Sequence, residues 1–455
     1  VTGKGKTVVR TGFGIFYDSY SQDMFIGHLP FSSSFDPGPA YSGLPGVGQI
    51  SSGSPTGEAF APNVPVFGNY SPMGDAFGVD PQIRTPYMEN YNLNLQQQLT
   101  RKVVLQVGYV GSQGHKLLSF TDINQPSAAQ IWAADCAGVA GVTFGQPCPS
   151  GTINDGSVPR RLTGNNITYI YWEGSGASSN YSSLQATLRI DNWHGLTTGL
   201  SYTWSHSIDT ASDGEDYVPN AAQPTDSTNP ASNRGNSNFD VRNRLSWNFN
   251  YEFPNRKGSL EKLTNGWGLD SIVTVQSGAP FHMIYEFDDY DGAGTFFSKP
   301  DVVGPIKYNY SDPTHFLDLS SFAVPCTPLP GFNGGASGPS GCIPGTRHFG
   351  NEGRNSLIGP AFREVDFSVF KKTSLTERLK MELRFEAYNL FNHPNFASPL
   401  WPNFLSDPTN TNSFGSNGRL QGYLPISVTA DVGAGYPVIG GGGPRSMQVA
   451  AKFTF

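Results

Sequence analysis

The sequence predicts an all-β protein: an antiparallel transmembrane β-barrel segment of about ten strands, with long loops on one side. Three observations lead there. Stretches of alternating apolar and polar residues recur along the chain, each close to the roughly 9–11 residues that cross a bilayer at a tilt. Only 14% of residues are charged while 13% are aromatic, and the mean hydropathy is −0.33, with no apolar run of the roughly 18–20 residues a membrane helix needs. A barrel wall reconciles these values, because only every second residue must be apolar. Finally, the connections between the stretches alternate between short and very long.

Each element follows from its pattern. Thr7–Tyr17 sets Val9, Phe13, Ile15 and Tyr17 on one face, with Arg10, Gly12 and Gly14 on the other. Asn90–Leu99 alternates Tyr91, Leu93, Leu95 and Leu99 with Asn92, Asn94, Gln96 and Gln98, and a Thr100-Arg101-Lys102 turn leads into Val103–Gly111. Tyr181–Ile190 and Leu196–Ser205 follow, joined by Asp191-Asn192-Trp193-His194-Gly195. Val241–Phe253 offers Leu245, Trp247, Phe249, Tyr251 and Phe253 outward, and Trp267–Gln276 offers Leu269, Val273 and Val275. Arg363–Phe370 and Lys380–Asn389 form the next pair, and Met447–Phe455 closes the set. A one-residue slip would turn every apolar side chain to the wrong face, so the patterns also set the register.

Turns near residues 100, 193, 258 and 375 are compact, whereas 18–89, 112–180, 206–240, 277–362 and 390–446 are long and read as irregular. Counted back from a C-terminus on the periplasmic side, every long connection falls outside and every short one inside, as in outer-membrane barrels. The 54 Gly and 35 Pro suit such loops. Tyr17, Tyr109, Tyr202, Trp204 and Trp267 are expected near strand ends, as an aromatic girdle requires. Cys136 with Cys148 and Cys326 with Cys342 form two local pairs without zinc-ligand spacing, and loop disulfides in an oxidising compartment are the expected reading. The chain opens at Val1 with no visible signal peptide, so a truncated chain is expected.

Several stretches resemble the barrel of TonB-dependent outer-membrane transporters, specifically the Oar-like, acidobacterial branch. They include Arg10-Thr11-Gly12-Phe13-Gly14-Ile15-Phe16-Tyr17-Asp18, Asn90 to Leu99, Gly108-Tyr109-Val110-Gly111-Ser112 and Tyr181-Ser182-Ser183-Leu184-Gln185. Tyr202 to Ser207, Gly353-Arg354-Asn355-Ser356-Leu357-Ile358-Gly359-Pro360 and Arg384 to His393 continue it. The closing strand, with Val449, Ala451, Phe453 and the terminal Phe455 on one face, resembles the signal read by the barrel-assembly machinery. The resemblance implies a signal peptide, a regulatory-like domain, a plug and a barrel of about 22 strands, of which residues 1–455 would be the C-terminal portion. It further implies location in the bacterial outer membrane. Its partners would be outer-membrane lipid, a TonB-type energy-coupling complex reached through the plug region, and an unidentified extracellular ligand.

Chemistry of other kinds finds little footing. The net charge of −7 is of mixed sign, which leaves no basic stripe for nucleic acid. The eight His are scattered, no GxSxG elbow occurs, and Gly440–Gly443 is not followed by the Lys-Ser/Thr of a phosphate loop. No cofactor is expected. Arg242, Arg244, Glu364, Asp366, Glu382, Arg384 and Glu386 share inward parity and are candidates to face a lumen or plug, beside Glu252. Two acidic loop clusters, Asp209/Asp213/Glu215/Asp216 and Glu286/Asp288/Asp289/Asp291, are weak calcium candidates without EF-hand spacing. Energy-coupled uptake by a parent protein is the leading reading. A stand-alone small pore or adhesin barrel, and an outer-membrane hydrolase, are the alternatives.

Overall fold

The structure is a computed structural model that describes residues 5–18, 73–153, 158–164, 167–212, 224–284, 290–294, 298–332, 339–396, 415–426 and 443–455. In chain order its strands begin with β1 (Thr7–Tyr17), β2 (Met73–Val79), β3 (Tyr87–Thr100) and β4 (Val103–Asp122). After a helix over Ala128–Asp135 come β5 (Ile167–Trp193), β6 (Leu196–Asp209), β7 (Gly235–Asn236), β8 (Asn243–Glu252) and β9 (Trp267–Gln276). Short pieces follow: β10 (Pro280–Phe281), β11 (Asp301–Val302), β12 (Leu317–Asp318), β13 (Phe322–Ala323) and β14 (Leu357–Ile358). The chain then forms β15 (Phe362–Ser374), β16 (Lys380–Tyr388), β17 (Tyr423–Leu424) and β18 (Ser446–Thr454).

One wall dominates. Its hydrogen-bonded path runs β1-β3-β4-β5-β6-β8-β9-β15-β16-β18, each strand antiparallel to its neighbours, with β2 pairing parallel to β5 and β7 pairing β6 at its margins. These ten path strands are the ten that alternation marks out. β1 and β9 have the expected bounds, whereas β4 and β5 reach 20 and 27 residues, well past the bilayer's need. Their extension follows from Ser119↔Gly174 and Thr121↔Trp172 pairing beyond two register shifts. The polar, small-residue stretch 173–180 hid it by separating residues 167–172 from the apolar pattern that begins at Tyr181. It can still pair, because strand pairing needs backbone hydrogen bonds rather than apolar side chains.

The turns explain the connectivity. Trp193 pairs with Leu196, so β5 and β6 join through His194-Gly195 alone, both at positive φ (51° and 89°). That is the two-residue geometry whose twist matches flanking strands. A Cβ at Gly195 would lie 2.3 Å from the Glu252 carbonyl, so the neighbouring strand also demands glycine there. After β16, Asn389 (φ 46°) turns the chain, and its side chain accepts the His393 N–H at 2.9 Å and donates to the His393 and Gly443 carbonyls.

Apolar side chains of the outward parity stay exposed: Phe13 68%, Leu93 55%, Leu95 47%, Leu184 44%, Leu383 42%, Phe385 43% and Val449 77%. Tyr17 and Trp267 lie at strand ends as expected. Tyr109, Tyr202 and Trp204 do not, because β4 and β6 continue past them.

The described part of the connection between β9 and β15 is not irregular, which corrects the sequence reading there. Residues between β9 and β15, together with 415–426 and Ile153, build a cap around Phe281, Met283, Phe316, Phe322, Leu357 and Leu420, all 0–1% exposed. Three two-stranded sheets, β10-β14, β11-β13 and β12-β17, frame it. Both expected disulfides, Cys136–Cys148 and Cys326–Cys342, are formed and lie in these connections.

Candidate functional site

Two places concentrate polar chemistry: the inward face of the last five wall strands, and the interior of the cap. On the wall, Arg384 is the hub. Its Nη1 donates to Asp270 Oδ2 at 2.8 Å and to Ser368 Oγ at 3.3 Å, and its Nη2 donates to Glu382 Oε1 at 3.0 Å. Glu386 Oε1 lies 3.6 Å from Nη1. Asn250 Nδ2 donates to Asp270 Oδ1 at 2.5 Å, and Gln448 donates to Glu386 and, at 2.9 Å, to the Tyr388 hydroxyl. A continuous network therefore spans β8, β9, β15, β16 and β18. Arg384 also lies over the Phe370 ring, 5.2 Å from its centroid, with Lys372 Nζ at 4.8 Å. The ring covers Gly268, where a Cβ would meet it at 2.2 Å. Lys372 pairs with Glu252 at 2.6 Å.

Of the residues expected to face a lumen, Glu382, Arg384 and Glu386 converge here. Asp270, Asn250 and Lys372 join them although sequence reasoning passed over them; inward parity plus cross-strand register was the signal that would have found them. Asp366 lines the same small cavity of about 200 Å³, but its carboxylate is already engaged by the Asn389 N–H at 2.9 Å. Glu364 stands two residues before it, outside the network. Arg244 lies at the cap end of β8, and Arg242 precedes that strand and pairs with Asp240 at 3.5 Å, so it belongs to the connection rather than to the wall. With side chains about 19–31% exposed, the Arg384 pairs are partly screened and contribute little stability, about 0–1 kcal/mol each. Three carboxylates around one guanidinium instead offer hydrogen bonds to a polar solute or to another protein surface.

Inside the cap, charges are buried. Arg347 grips Asp135 with Nη2 at 2.5 Å and Nε at 3.1 Å, both side chains 1% exposed, tying the end of the Ala128–Asp135 helix to a segment more than 200 residues away. Arg354 pairs with Asp209 and donates to the Asn233 carbonyl at 2.8 Å and to Ser212 Oγ at 3.0 Å. Asp209 is thus consumed by an ion pair, which corrects its reading as a calcium ligand; Asp213, Glu215 and Asp216 lie outside the described residues. Glu286, Asp288 and Asp289 of the other cluster also lie outside them, and the Asp291 carboxylate accepts the Ala293 N–H at 2.9 Å. Among the described residues no group of three potential ligands is placed to hold a metal.

Glu352 accepts the Met283 N–H at 3.1 Å and the Ser356 hydroxyl at 3.2 Å; burial raises its carboxyl well above the usual range, against the Lys299 charge. Burial likewise lowers the Lys299 ammonium. His282, held by Asn355, is pushed well below its ordinary value by burial and by Lys299. At the cap's surface His348 Nε2 bonds Asp301 at 2.8 Å, and that bond raises the imidazole.

Two larger cavities open, one between the extended ends of β4 and β5 and the 224–233 connection, the other where cap and wall meet. One, of about 470 Å³, is lined by Asp80, Ser119, Thr121, Trp172, Thr210 and Asn233 among others. The other, of about 450 Å³, includes Tyr310, Phe316, Phe396, Arg363 and His393.

The sequence matches the family model described as outer membrane beta barrel domain over residues 1–422. Among solved structures, it is similar to the outer membrane transporter YddB from Escherichia coli, with 9% identity and a TM-score of 0.38 over 86% of this chain and 35% of that one. It is also similar to the ferric-catecholate import receptor Fiu from K12 E. coli, with 8% identity and a TM-score of 0.36 over 99% and 33% of the two chains. The ferripyoverdine receptor of Pseudomonas aeruginosa matches at 10% identity and a TM-score of 0.32, over 82% and 27%. The chain spans about a third or less of the length of these structures. No curated protein matches it.

Proposed function

The chain belongs to the outer membrane beta barrel domain family, and from that premise we propose that it forms wall and extracellular cap of a TonB-dependent transporter or receptor of the Oar-like branch. In this reading a parent protein takes up an extracellular ligand with energy from an inner-membrane complex that acts through a plug. The barrel-assembly machinery inserts it by the closing strand, through Val449, Ala451, Phe453 and Phe455.

One observation carries the proposal. Ten wall strands line up with a charged, partly hydrated inner face, and among the described residues β1 and β18 are the two ends of the path rather than partners. A barrel of eight to ten strands fills its interior with its own side chains, whereas the size class of about 22 strands holds a plug. The Asp270–Arg384–Glu386 network has the composition suited to contact such a plug or a polar solute. In this reading the cap supplies a cavity on the side where a ligand would arrive.

Outer-membrane fractions of the source cells, probed with an antibody against residues 360–455, test the reading. A heat-modifiable band at about twice the 49.1 kDa of this chain is expected, as the plugged size class requires, and it should crosslink to the TonB-type protein. A heat-modifiable band at 49.1 kDa would overturn it in favour of a small barrel.

A further inference from the structure

The outward face of the wall changes character at one height. Tyr202, Leu245, Val275 and Arg363 form a single row across β6, β8, β9 and β15 by pairing. One step nearer the cap, Trp204 pairs with Asn243, and the Asn243 side chain accepts from the Tyr202 hydroxyl at 2.7 Å and donates to Ser277 Oγ at 3.3 Å. One step the other way, the row is Leu200, Trp247, Val273 and Val365, apolar throughout. Amphipathic aromatics meeting polar groups at one level of a lipid-facing surface mark the head-group zone. Arg363 therefore projects from the outward register at that zone.

The cavity of about 450 Å³ begins there. Tyr310, Phe316, Ile358, Pro360 and Phe396 contribute apolar wall, Arg363 and His393 are its basic members, and among the described residues no carboxylate lines it. Tyr310 is 65% exposed. The position of Arg363 is fixed by its backbone: Asn395, only 6% exposed, accepts its N–H at 2.9 Å and donates to its carbonyl at 3.1 Å. Among the described residues Arg363 forms no ion pair. An Arg on the lipid face costs about 2–4 kcal/mol at the midplane and about 0–1 near the interface, and a phosphate opposite it supplies charge-assisted hydrogen bonds.

We propose that this cavity seats the phosphate-bearing head group of an outer-leaflet lipid, with Arg363 pairing the phosphate and the aromatic walls packing against the adjoining sugar or upper acyl carbons. A soluble anion shares the phosphate chemistry. The lipid is the occupant because Arg363 continues the lipid-facing row of Leu245 and Val275, and the apolar walls continue that surface upward.

The test is native mass spectrometry of the detergent-purified full-length protein, delipidated and then exposed to bisphosphorylated lipid A or its dephosphorylated form. Retention of the phosphorylated lipid should exceed that of the other by about tenfold, which is about 1.4 kcal/mol. Arg363→Glu should abolish the preference, and Arg363→Gln should weaken it. Arg189→Glu, at the turn end of β5, should leave it intact. Each variant is first shown to keep heat-modifiable migration. Equal retention of the two lipids, or an undiminished preference in Arg363→Glu, would overturn the proposal. Displacement of the lipid by millimolar inorganic phosphate would overturn the lipid assignment in favour of a soluble-anion site.

Discussion

In the wall, Leu93, Leu95, Leu383 and Phe385 remain 42–55% exposed while the charges of the inner face are only partly covered, Arg384 at 31% and Asp270 at 27%. In the cap the order is inverted. Phe281, Phe316 and Phe322 are at 0%, and the Arg354–Asp209 and Arg347–Asp135 pairs are 0–2% exposed. The wall is held by backbone ladders and leaves its outward apolar side chains exposed, as a surface turned to lipid would. The cap is held like a small water-soluble domain, by an apolar core, two disulfides and buried ion pairs. The same chain thus obeys two solvents, and substitutions should sort by which one they offend.

The largest effect is expected from Arg354→Ala. It strands the Asp209 carboxylate in the cap interior, which costs about 3–5 kcal/mol. Hydrogen exchange should show the cap opening while the wall strands stay protected; loss of protection in both would mean that wall and cap are one cooperative unit. Replacing Cys326 and Cys342 with Ser comes next. The bond closes a separation of 16 residues, for which loop closure contributes about 3 kcal/mol. Limited proteolysis should cut the cap faster and leave a heat-modifiable barrel.

Leu95→Arg tests the other solvent. Toward lipid it costs about 2–4 kcal/mol near the midplane, so assembly should fall, whereas Asn94→Arg, its neighbour on the inward face, should insert normally. Equal insertion of both would break the assignment of faces. The smallest effect concerns pH. His348 is raised in the folded state by its bond to Asp301, so its contribution is fully present below the unfolded value of about 6.5. It is lost as pH rises through the folded value. Amide protection of β11 and β13 should decline over that window and not below it; a fixed profile, or one unchanged by His348→Gln, would remove this link.

Much of the wall could be read directly because each strand announces itself locally. Tyr91, Leu93, Leu95 and Leu99 against Asn92, Asn94, Gln96 and Gln98 need no distant partner to be recognised. The inward candidates Glu382, Arg384 and Glu386 were legible from parity alone, although their bonds to Asp270 and Gln448 were not. The cap escaped because its core residues come from segments without period: Phe281, Phe316 and Leu420 are neighbours only after more than 100 residues of chain fold back. Arg354 stood in a motif noticed for its resemblance, yet nothing nearby in sequence pointed to Asp209.

By itself, then, the sequence determined the ten path strands, the alternation of short and long connections and both disulfide pairings, since these rest on a two-residue period or on partners within 12 to 16 residues. The tertiary structure decided the length of β4 and β5, the fold of the cap and which charges meet. Those depend on the free energy of contacts between segments far apart in the chain, and a local pattern carries no trace of a partner it has not yet met.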